Sequence, residues 1–231
     1  MSSSGLQPLA HRIFEGLYRT YDRVLLVATL MQDSYWKNWI LRLASPKERM
    51  EILDVGCGTG VLEESLERYR VSAVGLDLTE GMIRLAQRKR LTCLRSITLG
   101  DAENLPFQDS EFDAVFSCYV VKYCNPEQLA SEILRVLRPQ GRVFVYDFSR
   151  PRGPLAPFIA FYTYGLLRVV GLVLSRVDSG QAYTYQALPT VIRDRRWDDS
   201  FAMTMRACGF GEVGMKRLSG GVVTAFWGRK P

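Results

Sequence analysis

The stretch Glu51-Ile-Leu-Asp-Val-Gly-Cys-Gly-Thr-Gly60 constrains this chain more than any other. Five residues of buried-strand character run straight into three glycines at alternate positions, and a helical pattern, Val61–Tyr69, follows at once. Glycine there lets the backbone pass close beneath a ligand, and the start of a helix behind it offers free N–H groups. A dinucleotide site asks for Gly-x-Gly-x-x-Gly, with the third glycine one residue later. Gly56, Gly58 and Gly60 instead give Gly-x-Gly-x-Gly, with Asp54 just ahead. A pyrophosphate disfavours a carboxylate beside it, so the local charge points to a cationic ligand.

The pattern around this loop alternates strand and helix. Val71–Leu76 reads as a second strand ending at Asp77, Glu80–Arg90 as a helix and Ile97–Leu99 as a third strand. Phe112–Cys118, the helix Pro126–Leu137 and the strand Arg142–Phe148 come next, and strand-like Glu212–Lys216 and Val222–Trp227 close the chain. Such succession predicts parallel strands with right-handed crossovers, hence a doubly wound α/β sheet. Ahead of it, residues 11–44 read as helical, with Ile13, Leu17, Tyr21, Val24 and Leu25 at three- and four-residue spacing up to Ser45-Pro46.

Composition removes several classes of chemistry. The single histidine, His11, lies near the start, so neither a Ser–His–Asp triad in the body of the chain nor a His-rich metal site is expected. Five cysteines without a Cys-x-x-Cys pair read as reduced thiols in a cytoplasmic protein, and no signal peptide is expected from the first residues. The net charge of +6 is uneven: residues 149–231 carry 12 Lys+Arg against 5 Asp+Glu. An anionic partner there, a lipid surface or a nucleic acid, stands beside the plainer reading of a solvated basic face. Residues 154–174 are apolar with one charge, Arg168, which argues against a membrane span and for a buried or interfacial helix.

Two carboxylates follow the glycine loop at telling positions. Asp77, at the end of the second strand, can accept both hydroxyls of a ribose or cap the next helix. Asp101, after the third strand in Gly100-Asp-Ala-Glu-Asn-Leu-Pro-Phe107, can accept from an adenine amino group with Ala102 beside it, or sit in a surface turn. In this order the segments 53–60, 76–82, 100–107, 112–121, 133–151 and 208–213 resemble the class I S-adenosylmethionine-dependent methyltransferases. The resemblance implies a Rossmann-like seven-stranded sheet with its last strand antiparallel. It also implies S-adenosyl-L-methionine as cofactor and a cofactor-binding set of Asp54, Gly56, Gly58, Thr59, Gly60, Asp77, Leu78, Met82, Asp101, Ala102, Cys118 and Lys37, with no metal.

The flanks are similar to one subfamily, the ubiquinone/menaquinone biosynthesis C-methyltransferases: Phe14-Glu-Gly-Leu-Tyr-Arg-Thr-Tyr-Asp22, Trp36-Lys37, Asp147-Phe-Ser-Arg-Pro151, Ala182–Ile192 and Leu218–Val223. Against its pattern, Leu25-Leu26 replace an Asn-Asp pair, Asp33-Ser34 a His-Arg pair, and Val120-Val121-Lys122-Tyr123 a Gly-Leu-Arg-Asn run. These positions would face the acceptor. The resemblance implies C-methylation of a demethylated prenyl quinol, in which a phenol loses its proton so that the ring carbon becomes nucleophilic. Lys122, at the family's arginine position, would stabilise the phenolate unless it is a surface lysine before Pro126. Tyr21, with Tyr18 and Lys37, would close the N-terminal helix over the cofactor; packing roles are the alternative for the tyrosines. Cys118 would lie against the cofactor, not act as a nucleophile.

The expected organisation is a helical cap over 1–45 and a methyltransferase domain over 46–231, with an apolar helical insert at 152–197. A lipid-like acceptor explains that insert and the basic last third as a peripheral contact with an anionic membrane. The competing readings are an N-methyltransferase of a phospholipid headgroup or small amine, and a cofactor-binding regulator without activity. Nucleic acid is not expected, because no Asn/Asp-Pro-Pro-aromatic motif for a flipped base is present.

Overall fold

Strand β1 (Glu51–Val55) forms the middle of a seven-stranded sheet of order β3-β2-β1-β4-β5-β7-β6. It pairs in parallel with β2 (Ser72–Asp77) and β4 (Phe112–Cys118), which pair in parallel in turn with β3 (Leu94–Leu99) and β5 (Leu137–Phe148). The last strand, β7 (Val223–Arg229), runs antiparallel to both β5 and β6 (Gly211–Leu218), which is the expected arrangement. In this computed structural model residues 6–152, 156–158, 161, 165 and 197–231 are described. The apolar insert expected at 152–197 and the tyrosine segment 182–192 lie almost wholly outside them.

Alternation along the strands separates two cores. Leu53, Val55, Val115, Val143 and Val145 face one side, where α6 (Pro126–Val136) and α7 (Trp197–Ala207) add Ile133, Trp197 and Phe201. Ile52, Ala114, Phe116, Phe144 and Tyr146 face the other, covered by Trp36, Ile40 and Leu41 of α3 (Asp33–Ala44) and by Leu62 and Leu66 of α4 (Val61–Leu66). Helix α6 starts where the sequence dictates: Pro126 takes the first turn and the Asn125 side chain accepts the N–H groups of Glu127 and Gln128.

Chain direction reverses at β1, because β2 and β3 stack on one side while the chain returns to place β4 on the other. The carboxyl ends of β1 and β4 thus border a crevice, the usual ligand position of a doubly wound sheet. Over it lie α1 (Gln7–Leu17) and α2 (Tyr21–Ala28), whose Ala10, Ile13, Leu17 and Val24 pack with Tyr123 in a third, small core.

Several boundaries differ from the sequence reading. The helix expected over 11–44 is three helices, broken at Tyr18–Thr20 and again where Leu30 and Met31 take left-handed backbone. The helix expected to Tyr69 leaves α geometry after Leu66 and ends as a single tight 3₁₀ turn. Helix α5 (Glu80–Arg88) stops before Arg90, whose φ is positive. Strand β5 begins at Leu137, not Arg142, because the Pro139-Gln140-Gly141 stretch is an irregularity inside the strand, with Gln140 left-handed.

Candidate active site

The glycine loop follows β1 directly and is held by the sheet. The N–H groups of Gly56 and Cys57 both donate to the Leu76 carbonyl, at 2.7 and 3.0 Å. Gly56 has φ +81°, and a Cβ there would lie 2.1 Å from Val120 Cγ2, so the position admits glycine alone. Gly58, at φ +55°, instead opens toward a cavity in which the Tyr21 ring is its nearest neighbour at 3.9 Å.

Asp77 ties this loop to the next helix. Its Oδ2 accepts the Gly58 N–H at 2.8 Å and its Oδ1 the Thr79 N–H at 2.9 Å, so each oxygen keeps a lone pair for a further donor. Burial raises its carboxyl above the usual range, and these N–H groups act against that. Asp101 Oδ1 accepts the Glu103 N–H and also the Gln7 side-chain amide, both at 2.7 Å, so α1 reaches down onto this carboxylate.

Two connected cavities result. The first, of about 660 Å³, runs beneath α1 and is lined by Tyr21, Gly56, Gly58, Asp77, Leu78, Met82, Asp101, Ala102 and Cys118, with Gln7, His11 and Phe14 as its roof. His11, the one histidine, thus stands at the rim of a cavity, not apart from the body of the protein. The second, of about 350 Å³, shares Tyr21, Gly56, Gly58, Cys118 and Tyr119 with the first and adds Asp33, Lys37, Asp54 and Tyr146. Its far wall is a polar network: Lys37 Nζ pairs with Asp33 Oδ2 at 2.7 Å, and Tyr119 and Tyr146 donate to Asp33 Oδ1 at 2.7 and 3.4 Å. Burial pushes the phenols of Tyr21, Tyr119 and Tyr146 and the thiol of Cys118 upward, so all four are neutral hydrogen-bonding groups.

Of the residues singled out in the sequence, Asp54, Gly56, Gly58, Asp77, Leu78, Met82, Asp101, Ala102, Cys118, Lys37 and Tyr21 meet around these cavities. Thr59, Gly60 and Lys122 line neither. Thr59 donates to Asp22 of α2, and Lys89 bridges Asp22 and Glu64 at 3.1 and 2.8 Å, so both pin the cap to the loop from outside. Tyr18 packs its ring on Gly81 of α5.

Lys122 is not a surface lysine, and it is buried away from both cavities. Its Nζ, buried at 1% exposure, lies 2.7 Å from Asp147 Oδ1, donates to the Tyr119 carbonyl, and stands 4.4 Å from the centre of the Tyr123 ring. Asp147 also accepts the Lys122 and Phe148 N–H groups. Burial drives both charges toward neutrality, the lysine down and the acid up, and their contact opposes it.

Asp33 and Tyr146 of these walls, and Glu63 beneath the glycine loop, escaped the sequence reading as site residues. Asp33 drew notice only as a departure from the subfamily pattern, while Tyr146 is distinguishable from a core aromatic only by its partners. Glu63 has no exposed surface, yet nothing in the helical period separates it from Glu64 or Glu67.

The profile of the ubiE/COQ5 methyltransferase family matches residues 3–230. A demethylmenaquinone methyltransferase from Tropheryma whipplei is 33% identical over 217 residues, covering 92% of this chain and 87% of its own. A ubiquinone/menaquinone biosynthesis C-methyltransferase from Chromobacterium violaceum is 33% identical over 226 residues, covering 94% and 90%. In fold, a SAM-dependent methyltransferase from Aquifex aeolicus superposes with a TM-score of 0.59 at 17% identity, over 84% of this chain and 89% of that one.

Proposed function

The chain belongs to the ubiE/COQ5 methyltransferase family, is therefore an S-adenosylmethionine-dependent methyltransferase, and, we propose, methylates a ring carbon of a demethylated prenyl quinol. The observation that carries the acceptor assignment is the second cavity. It joins the glycine-loop cavity at Tyr21 and Cys118 and is walled by neutral phenols and the Asp33–Lys37 pair, a surface suited to a hydroxylated aromatic ring.

The residues present fit the cofactor. Asp77 retains a lone pair on each oxygen for ribose hydroxyls, the space beside Gly58 is open, and Asp54 Oδ1, buried at the cavity wall, has no partner among the described residues. In this reading Leu78, Met82, Ala102 and Asp101 form the adenine end and Lys37 meets the amino-acid carboxylate. When bound, the cofactor supplies an electrophilic methyl group on a cationic sulfur.

The chain's own residues then position and desolvate, as an in-line displacement requires. Tyr21, held neutral by burial and by Asp33 and Asp77, stands between the cavities and donates a hydrogen bond to the acceptor's phenolic oxygen. Asp33, on the second cavity's wall, receives the phenolic proton, and the ring proton that the methyl group displaces leaves to water.

Residues 1–45 act as the cap over the 46–231 methyltransferase domain. The enzyme meets its acceptor at an anionic membrane face from the cytoplasm, through the apolar 154–174 segment and the basic last third; among the described residues no helix is long and apolar enough to cross a membrane. The test is incubation of the protein and S-adenosylmethionine with a demethylated prenyl naphthoquinol in anionic vesicles, followed by mass spectrometry. A product heavier by one methylene unit, with the methyl on the ring, is expected. Methylation of phosphatidylethanolamine instead would overturn the acceptor assignment, and absence of protein floating with the vesicles at low salt would overturn the membrane contact.

A further inference from the structure

Beneath the glycine loop two carboxyl groups face each other with no donor between them. Asp54, at the end of β1, is 1% exposed, and Glu63, in the first turn of α4, is 0% exposed. They stand within hydrogen-bonding reach of one another. Four buried side-chain polar atoms among the described residues lack a hydrogen-bond partner, and three of them are Asp54 Oδ1, Glu63 Oε1 and Glu63 Oε2. Two ionised carboxylates in contact inside a protein repel each other and leave acceptors empty; one proton placed between them supplies the missing donor and removes one charge.

The groups around the pair relieve it only in part, Lys37 and Lys89 acting on it through space without contact. Asp77 on β2 adds negative charge to both. Lys37 of α3 is committed to Asp33, and Lys89, beyond α5, is held by Asp22 and Glu64. The thiols of Cys57 and Cys93, on the glycine loop and ahead of β3, are kept neutral by burial. Burial likewise raises both acids, Glu63 to about 7. Only Asp54 borders the second cavity, so the pair communicates with a ligand through one face.

We infer that Asp54 and Glu63 share a proton in the free protein and expel it when the cationic end of the cofactor arrives beside Asp54. The O–H bond of the shared proton breaks, the proton leaves to water through the cavity, and the pair remains doubly ionised against the incoming positive charge. Glu63 thereby acts as a positioning residue: it sets the charge that Asp54 presents and makes cofactor affinity depend on pH. This rests on the Asp54 end of the second cavity holding the amino-acid end of S-adenosylmethionine, with the acceptor ring at its Asp33, Tyr119 and Tyr146 wall.

Calorimetry of the full chain with S-adenosylmethionine at pH 7, in two buffers of different ionisation enthalpy, reads the proton directly. The wild type is expected to release a substantial fraction of a proton per cofactor bound, and to bind several-fold more weakly at pH 6 than at pH 7.5. In Glu63→Gln the amide donates to Asp54 permanently, so binding should persist, release should vanish and the pH dependence should flatten. The ligand's own ammonium titrates near 8 and is common to both proteins, so it cancels in the comparison. Carboxyl-carbon NMR of the wild type needs no variant: one buried side-chain carboxyl should titrate near 7 in the free protein and well below that with ligand. Binding with equal enthalpy in both buffers, or unchanged release in Glu63→Gln, overturns the inference and leaves the cofactor assignment standing. No binding by the wild type overturns both.

Discussion

Replacing Lys122 by Met separates a structural lysine from one that serves the chemistry. The ammonium is 1% exposed, its partner carboxylate 0%, and the contact is 2.7 Å, so removing one charge strands the other in a dry interior. Breaking such a pair from one side costs about 3–5 kcal/mol. For a chain of this length that corresponds to a fall in Tm of about 6–20 °C, at about 2–4 °C per kcal/mol. The loss has a predictable pH dependence. With Lys122 gone nothing opposes the burial that raises Asp147, so its folded pKa lies above the unfolded one. An acid shifted upward is fully destabilising above its folded pKa, and the penalty shrinks as pH falls below that value toward the unfolded one near 4. The deficit of Lys122→Met should therefore be larger at pH 8 than at pH 5, and adding Asp147→Asn should recover part of it. Thermal and urea unfolding at the two pH values measure this, with turnover per folded molecule followed at low temperature. Turnover within about tenfold of wild type is expected, since no acceptor contact is lost. A variant of wild-type stability with turnover abolished would refute the argument and return Lys122 to the reaction.

Asp77→Ala should weaken S-adenosylmethionine by roughly 2–4 kcal/mol, thirtyfold to several hundredfold, because charge-assisted hydrogen bonds are lost; calorimetry showing less than a threefold change would place the ribose elsewhere. Gln7 donates to Asp101, the carboxylate proposed to meet the adenine amino group, so Gln7→Ala should bind the cofactor tighter, by up to about 1 kcal/mol. Weaker binding would make Gln7 part of the cofactor wall instead. Tyr21→Phe should lower kcat by about tenfold to a hundredfold while leaving cofactor affinity within a few-fold, because the phenol's hydrogen bond matters once charge develops on the acceptor; an equal loss in cofactor Kd would assign Tyr21 to binding. Gly56→Ala should unfold or empty the site, since its Cβ collides with Val120 and its φ of +81° is strained for alanine; a crystal structure or thermal scan of the variant checks it.

What the sequence disclosed and what it hid divide along one physical line. The glycine loop, Asp77 and the sheet were readable because backbone geometry imposes them: φ near +81° at Gly56 and the unbroken buried runs of β1 and β4 leave a signature at fixed spacing. The acceptor side was not, because its character depends on which side chain meets which. Lys122 read as a phenolate partner or a surface lysine, and nothing local reveals that Asp147, 25 residues on, takes its charge. Asp33 became legible only when α3 brought it to Tyr119, 86 residues away, and Glu63 only when α4 folded it onto Asp54. The same line explains why the apolar periodicity of 11–44 misled: it fits one helix or three, and the two left-handed residues Leu30 and Met31 carry no glycine or proline to announce the break. On the proposed assignment, cofactor handling is written in the backbone and acceptor choice in long-range polar pairs. Substitutions that alter the acceptor should accordingly cluster at Asp33, Lys37, Tyr119 and Tyr146, and leave the glycine loop untouched.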